Sequence, residues 1–307
     1  MKHWLSGRTA PLLVLVGGAC AIAFSPIFVR LTGTGPAAAG VWRLTFALPV
    51  LALLAARAAR TGGPAAGGRD WRPQPVALLA GLFFALDLGF WHYGIALTTV
   101  ANATILSNLA PVVVTAGAWL ILGERPGRRF MAGMALALAG TWAIAAAKGG
   151  GRGVNPGLGD ALSITTAVWY AAYMLCVRKA RFGQGAVQVM LWSSALGAPL
   201  LLAAAVLLHE RLTPVTTAGW LACAGLGVVH VTGQGAITWA LGRLPAATAS
   251  VVILVQPVIA AVLGWIIFAE RMTPLQIAGG LVALTGVVLA QIAATHKASA
   301  SNGGDAG

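Results

Sequence analysis

The sequence predicts an all-α membrane protein, ten transmembrane helices arranged as two inverted five-helix repeats, and three observations carry that prediction. Hydrophobic residues make up 58% of the chain and charged residues 9%, a composition that would leave a soluble domain covered in exposed apolar surface. Ten apolar segments, at about 10–30, 37–56, 76–97, 101–122, 130–147, 157–177, 187–208, 218–241, 246–268 and 275–294, have the length a helix needs to cross about 30 Å of hydrocarbon. The chain also repeats itself at a spacing of 146 residues. Residues 101–147 laid over 247–293 match Pro111 to Pro257, Trp119 to Trp265, Glu124-Arg125 to Glu270-Arg271, Gly133 to Gly279 and Gly140 to Gly286. Matched alanines are expected by chance here; a matched Pro, Trp, Glu-Arg pair and two Gly are not. Five spans separate corresponding points, and an odd number inverts the second copy, as in carriers that alternate access around a central site.

Taken in order, the first segment follows Lys2 and Arg8, as a signal peptide would, but no A-x-A-like site follows and the run continues to Val29; it reads as a retained span. Arg57 to Pro75 is rich in Gly, Pro and Arg and reads as a loop. The first repeat covers 10–147 and the second 157–294, joined by the glycine-rich linker Lys148 to Pro156, with 295–307 as a disordered cytoplasmic tail. Gly133, Ala137 and Gly140 on the fifth span, and Gly279, Ala283 and Gly286 on the tenth, are spaced for close helix approach. Spacing leaves open whether they meet within one chain or build a homodimer. With the N-terminus inside, cytoplasmic loops and termini hold fourteen Lys and Arg and the opposite loops five, which orients both termini to the cytoplasm.

The net charge of +13 does not point to nucleic acid, because the basic residues sit in short clusters between apolar runs and no soluble basic domain exists to carry them. Cys20, Cys176 and Cys223 fall inside apolar segments without CxxC spacing. No His, Cys or carboxylate cluster has metal-ligand spacing, no glycine-rich phosphate loop occurs, and the serines lack an accompanying His and acid. The sequence therefore calls for no metal and no cofactor.

Particular motifs resemble a known family. Gly123-Glu124-Arg125 and Ala269-Glu270-Arg271 close the fourth span of each half, preceded by Ala96-Leu97 and Ala240-Leu241. Phe24-Ser25-Pro26-Ile27-Phe28-Val29-Arg30 followed by Trp42-Arg43-Leu44 forms an opening pair of spans. These features resemble the EamA family of the drug/metabolite transporter superfamily over about residues 10–294, with the usual Trp-Gly of the first span replaced by Phe24-Ser25. The resemblance implies a ten-helix inner-membrane carrier, commonly an exporter of amino acids or other small metabolites.

Charge inside the membrane picks out the site. Asp87 is the one acid of seven near the middle of an apolar segment, where a carboxylate costs about 2.5–3.5 kcal/mol on insertion scales and so faces a wet cavity or a partner. It is the proton-coupling candidate, with a structural hydrogen bond as its alternative. Arg43, as deep in the second span, suits a substrate carboxylate, or else snorkels or pairs with Asp87. His92 and His230 can pass protons or bind polar groups, and Gln234 shares a helix face with His230. Thr104, Asn108 and Pro111 form a polar stripe on the fourth span, and Trp169 and Tyr173 lie one turn apart on the sixth. Pro111 and Pro257 remove backbone donors and free carbonyls near Ser107 and Ile253, an opening tolerable only against protein or water; both are hinge candidates.

These residues predict a secondary transporter exporting small polar or amphipathic metabolites, amino acids or related compounds, across the bacterial inner membrane, with the lipid bilayer and, where Asp87 titrates, protons as further partners. Export of a metal-chelating metabolite, uptake, and a multispan membrane enzyme are the alternatives.

Overall fold

The computed structural model describes residues 2–61, 71–98, 103, 106–147, 154–268 and 273–303, with the backbone alone for 2–8, 61, 95, 96, 264, 268 and 295–303. Thr104, the motif Ala269-Glu270-Arg271 and most of the glycine-rich linker lie outside the described residues, as do 62–70 of the loop after the second span. The side chain of Ala96 lies outside them too.

Helices form where the apolar segments fall, and their ends follow local chemistry. In chain order they are α1 (Lys2–Ile22), α2 (Ser25–Thr32), α3 (Pro36–Thr61), α4 (Pro75–Leu97), α5 (Ala110–Leu122), α6 (Arg128–Ala146), α7 (Pro156–Ala180) and α8 (Ala186–Leu207). Then follow α9 (Thr217–Val229), a π-helical turn (His230–Gln234), α10 (Gly235–Leu241), α11 (Ala246–Ile253), α12 (Val255–Phe268) and α13 (Pro274–Gly303). Proline occupies the first turn of α2, α4, α5 and α7, where its missing N–H costs nothing. Gly123 ends α5 in the left-handed region at φ 69°, a conformation that leaves glycine the natural residue before the Glu-Arg pair. Among the described residues nine helices are long and apolar enough to cross a membrane, with Ala110–Leu122 a shorter tenth, and no strand occurs.

Among the described residues four spans are interrupted, the fourth at Asn108-Leu109 ahead of α5. The first divides at Ala23-Phe24 into α1 and α2, ahead of Pro26. The eighth widens into the π turn, and the ninth breaks at Leu254 between α11 and α12. The last helix runs to Gly303.

Packing joins three spans to their counterparts in the other half: α3 to α8, α5 to α11, and most extensively α6 to α13. The last contact answers the question left by the small-residue spacing, since it is made within one chain. A Cβ on Gly140 would lie 2.3 Å from the Ala283 nitrogen, and one on Gly286 2.2 Å from the Ala137 nitrogen, so backbones touch where glycine alone fits. The remaining core comes from α4 against α7 and α8, and from α1 against the π turn and α10. Exposed Leu, Ile, Val and Trp side chains such as Leu120, Ile121, Trp265 and Ile266 cover the outside of the bundle, as a lipid-facing surface requires.

Candidate functional site

A cavity of about 430 Å³ lies between the two halves, within the size range of small-molecule sites. Its wall joins the α1–α2 break, α3, α4, α5, α7, the π turn, α11 and α12. Arg43, Asp87, His92, Asn108 and Gln234 all line it, so five of the eight sequence-derived pathway residues converge on one space. Pro111 and Pro257 line it too, together with Ser107 and Ile253. Each proline stands in the first helical turn after an interruption, Asn108-Leu109 before α5 and Leu254 before α12, and the freed backbone faces the cavity rather than lipid.

Arg43 and Asp87 are buried, at 6% and 8% exposed. They are near enough to interact electrostatically, yet among the described residues they form no ion pair. Arg43 lies over the Phe84 ring at 5.5 Å, and its Nε has no hydrogen-bond partner. A cation and an acid in one wall, neither neutralising the other, are a costly arrangement inside a membrane that an oppositely charged ligand relieves.

The other three pathway residues lie one layer behind the wall. Tyr173 is 1% exposed, its ring 4.8 Å from Phe84, and its hydroxyl accepts a 3.0 Å hydrogen bond from Gln234 Nε2. Trp169 is held between Phe83 and Phe90, each ring at 6.0 Å. His230 packs on Phe84 at 5.4 Å, and its Nε2 lies 3.0 Å from Ser194 Oγ. Helical phase explains part of this placement. Thr166 and Tyr170 are the α7 residues on the cavity, and Trp169 stands about 100° around the helix from Tyr170; Tyr173 shares the face of Thr166 two turns further along, where it packs on Phe84. At the π turn Gln234 lines the cavity and His230 does not. Tyr170 and Trp91 are wall residues the sequence did not single out; Tyr170, four after Thr166, carried the available signal.

The cavity is closed at one end and reaches the other. At its closed end Glu124, just beyond α5, accepts hydrogen bonds from Ala246 and Ala247 N–H at 3.2 and 3.4 Å, capping α11. Arg178 pairs with Glu124 at 3.4 Å and donates to the Leu241 carbonyl at 2.9 Å. Nearby, Arg181 donates to the Thr238 and Gln184 carbonyls, and burial and then the neighbouring Arg243 charge hold it below the usual guanidinium range. No residue of this cluster lines the cavity. At the opposite end the wall includes Arg30, Thr34 and Pro36. There Glu210 caps α3, accepting from Ala37 and Ala38 N–H at 3.1 and 2.9 Å and from the Tyr93 hydroxyl. Trp42 Nε1 donates to the Leu212 carbonyl at 2.7 Å beside it. Among the described residues no group of His, Cys, Asp or Glu could hold a metal ion.

Comparison with known proteins gives this architecture relatives. The profile of the EamA-like transporter family matches residues 9–146 and 157–291. The chain is 26% identical over 283 residues to a probable terminal-alkyne amino-acid exporter of Streptantibioticus cattleyicolor, covering 90% of this chain and 91% of that one. It is 25% identical over 220 residues to the pseudopaline exporter CntI of Pseudomonas aeruginosa, covering 70% and 74%. A solved crystal structure superposes with a TM-score of 0.75 over 94% of this chain and 99% of the other, at 22% identity, a likeness of fold alone.

Proposed function

We propose a function from one premise: the chain belongs to the EamA-like transporter family and is a multi-pass membrane transporter. It exports small polar or amphipathic metabolites, amino acids or related compounds, across the bacterial inner membrane by alternating access. The observation that carries this is the cavity between the halves, with Arg43 and Asp87 in its wall, no ion pair between them among the described residues, and Arg43 Nε without a hydrogen-bond partner. A substrate carboxylate meets the Arg43 guanidinium and a substrate ammonium meets Asp87, each offsetting a charge the protein leaves exposed to the cavity. The two relatives named as exporters of an amino acid and of pseudopaline support the direction and the class.

Alternating access rests on the inverted repeat, which several contacts support. Three counterpart pairs of spans pack across the halves, and α11 begins at Glu124, where α5 ends, which supports matched segments of opposite direction. The fourteen-to-five distribution of Lys and Arg puts both termini and the Glu124 end in the cytoplasm. The cavity then reaches outward and is sealed inward, an outward-facing state. Asp87 couples transport to protons by taking substrate ammonium on one leg of the cycle and a proton on the other.

Asp87→Asn tests this in proteoliposomes loaded with amino acids, because Asn keeps size and hydrogen bonding but cannot titrate. The wild type should release substrate faster under an imposed proton gradient; the variant should still exchange substrate but lose that acceleration. A wild type indifferent to the gradient would make the protein a facilitator and Asp87 structural. A variant that still responds would route the proton elsewhere.

A further inference from the structure

The charge in the cavity wall is all on one side. Among the described residues its charged members, Arg30, Arg43 and Asp87, stand on α2, α3 and α4, whereas the wall residues of α6, α11 and α12 are neutral. Packing keeps the two sides apart: α3 and α4 pack on α8, and α4 also on α7, while α12 packs on α1, α6 and α13. On α12, Val258 and Ala261 cluster with Ile144 of α6 and Ala283 of α13. Pro257 and Ala260 lie about 100° around the helix from them, on the cavity. Ala260 is half-buried, and Ile253 and Leu254 continue the apolar surface. Of the polar groups nearby, Ser250 Oγ donates to the Ala247 carbonyl at 2.8 Å, and Gln256, one turn before Ala260, is neutral.

We propose, resting on the reading of this cavity as an amino-acid site, that the α11–α12 wall is its side-chain subsite, that this subsite takes apolar side chains of leucine to phenylalanine size, and that Ala260 sets its depth. With the ammonium at Asp87 and the carboxylate at Arg43, both charges of an amino acid are spent on the first-half side, and the remaining substituent is left for the neutral wall opposite. A charged side chain there gives up its hydration and meets no counter-charge. An apolar one gains, each buried methylene being worth about fourfold, so leucine outruns alanine as long as the wall leaves room. The methyl of Ala260 leaves that room, and a larger side chain at this position occupies the space the substrate would fill.

Proteoliposomes loaded with equal amounts of leucine, phenylalanine, alanine, aspartate and lysine, with initial release read by mass spectrometry against protein-free liposomes, test the assignment. Wild type should release leucine and phenylalanine at least tenfold faster than the other three. Ala260→Phe should cut the leucine-to-alanine ratio to about twofold or less at an unchanged amount of protein in the membrane, and Ala260→Val should fall between it and the wild type. A wild type that releases all five at equal rates overturns the subsite and leaves the exporter reading standing. Ala260→Phe and Ala260→Val proteins that keep the tenfold ratio, or that lose leucine and alanine release in equal proportion, overturn the role of Ala260. A wild type that releases none of the five overturns the subsite and the amino-acid reading together.

Discussion

Glu124 and Glu210 perform the same local task at opposite ends of the molecule, and the difference between them separates what must move from what must hold. Each stands just beyond a helix of one half and caps the first turn of a helix in the other, where the positive end of the helix dipole favours a carboxylate. Glu124 recurs in the repeat as Glu270; Glu210 does not, since the corresponding loop reads Gly62-Gly63-Pro64-Ala65-Ala66. A clasp that alternates between two sides needs a counterpart, and only Glu124 has one. The capped helices differ in kind as well. Glu210 holds α3, a span of 26 residues tied further by Tyr93 and Trp42. Glu124 holds α11, eight residues ending at the Leu254 break. Releasing Glu124 frees two turns of helix, whereas releasing Glu210 would loosen a whole span.

The largest effect should follow Glu210→Ala, which strips α3 of its cap and leaves the Tyr93 hydroxyl without its acceptor. One cap at about 1 kcal/mol and a hydrogen bond to a charged group at about 2 kcal/mol together predict a loss near 3 kcal/mol. Melting in detergent should fall by several degrees, with the balance between outward and inward states unchanged. If Glu210→Ala instead opened the cytoplasmic end, the two clasps would not differ as argued.

Glu124→Gln should do the reverse. The amide keeps an acceptor for the α11 N–H groups but gives up the charge that Arg178 and the helix dipole hold, about 1 kcal/mol of preference for the sealed end. Stability should change little, and inward-open protein should rise roughly fivefold. In a background lacking Cys20, Cys176 and Cys223, a cysteine replacing Ser250, a cavity-wall residue on the α11 helix that Glu124 caps, should label faster from the cytoplasmic side in Glu124→Gln. Equal labelling in both proteins would make Glu124 a static cap like Glu210.

Much of this was legible in the sequence because membranes restrict the possibilities. Span positions follow from apolar length, and five pathway residues reached the cavity because a charged or amide side chain deep in a span has few tolerable places to face. What was not legible depended on helical phase and long-range contact. Trp169 and Tyr173 carry the residue types of a binding wall, and only the rotation of α7 at Trp169 and the packing of Phe84 on Tyr173 put them behind it. The π turn at His230–Gln234 leaves no mark in residue type. Glu210 looked like an ordinary loop acid because its partners, Ala37, Ala38 and Tyr93, lie more than a hundred residues away. Glu124 was singled out by the repeat, but its role as a cap on α11 needed the fold.

The smallest effect, and the sharpest test of why Glu124 holds so short a helix, should come from Pro257→Ala beside Pro111→Ala. If α11 swings on the Leu254 break once Glu124 lets go, a backbone donor restored at Pro257 lets α11 and α12 join as one helix. The short lever is then lost without disturbing either clasp. Pro111 follows the matching interruption at Asn108-Leu109, so its replacement should act in the same way on the other half. Each variant should slow substrate release several-fold, about 1 kcal/mol on the barrier, while the amount of protein in the membrane and the Ser250 cysteine labelling pattern stay near those of the parent. Slowed release by Pro257→Ala alone would confine the moving part to the second half, and undiminished release in both would reduce the prolines to packing features and leave the Glu124 clasp without a lever to control.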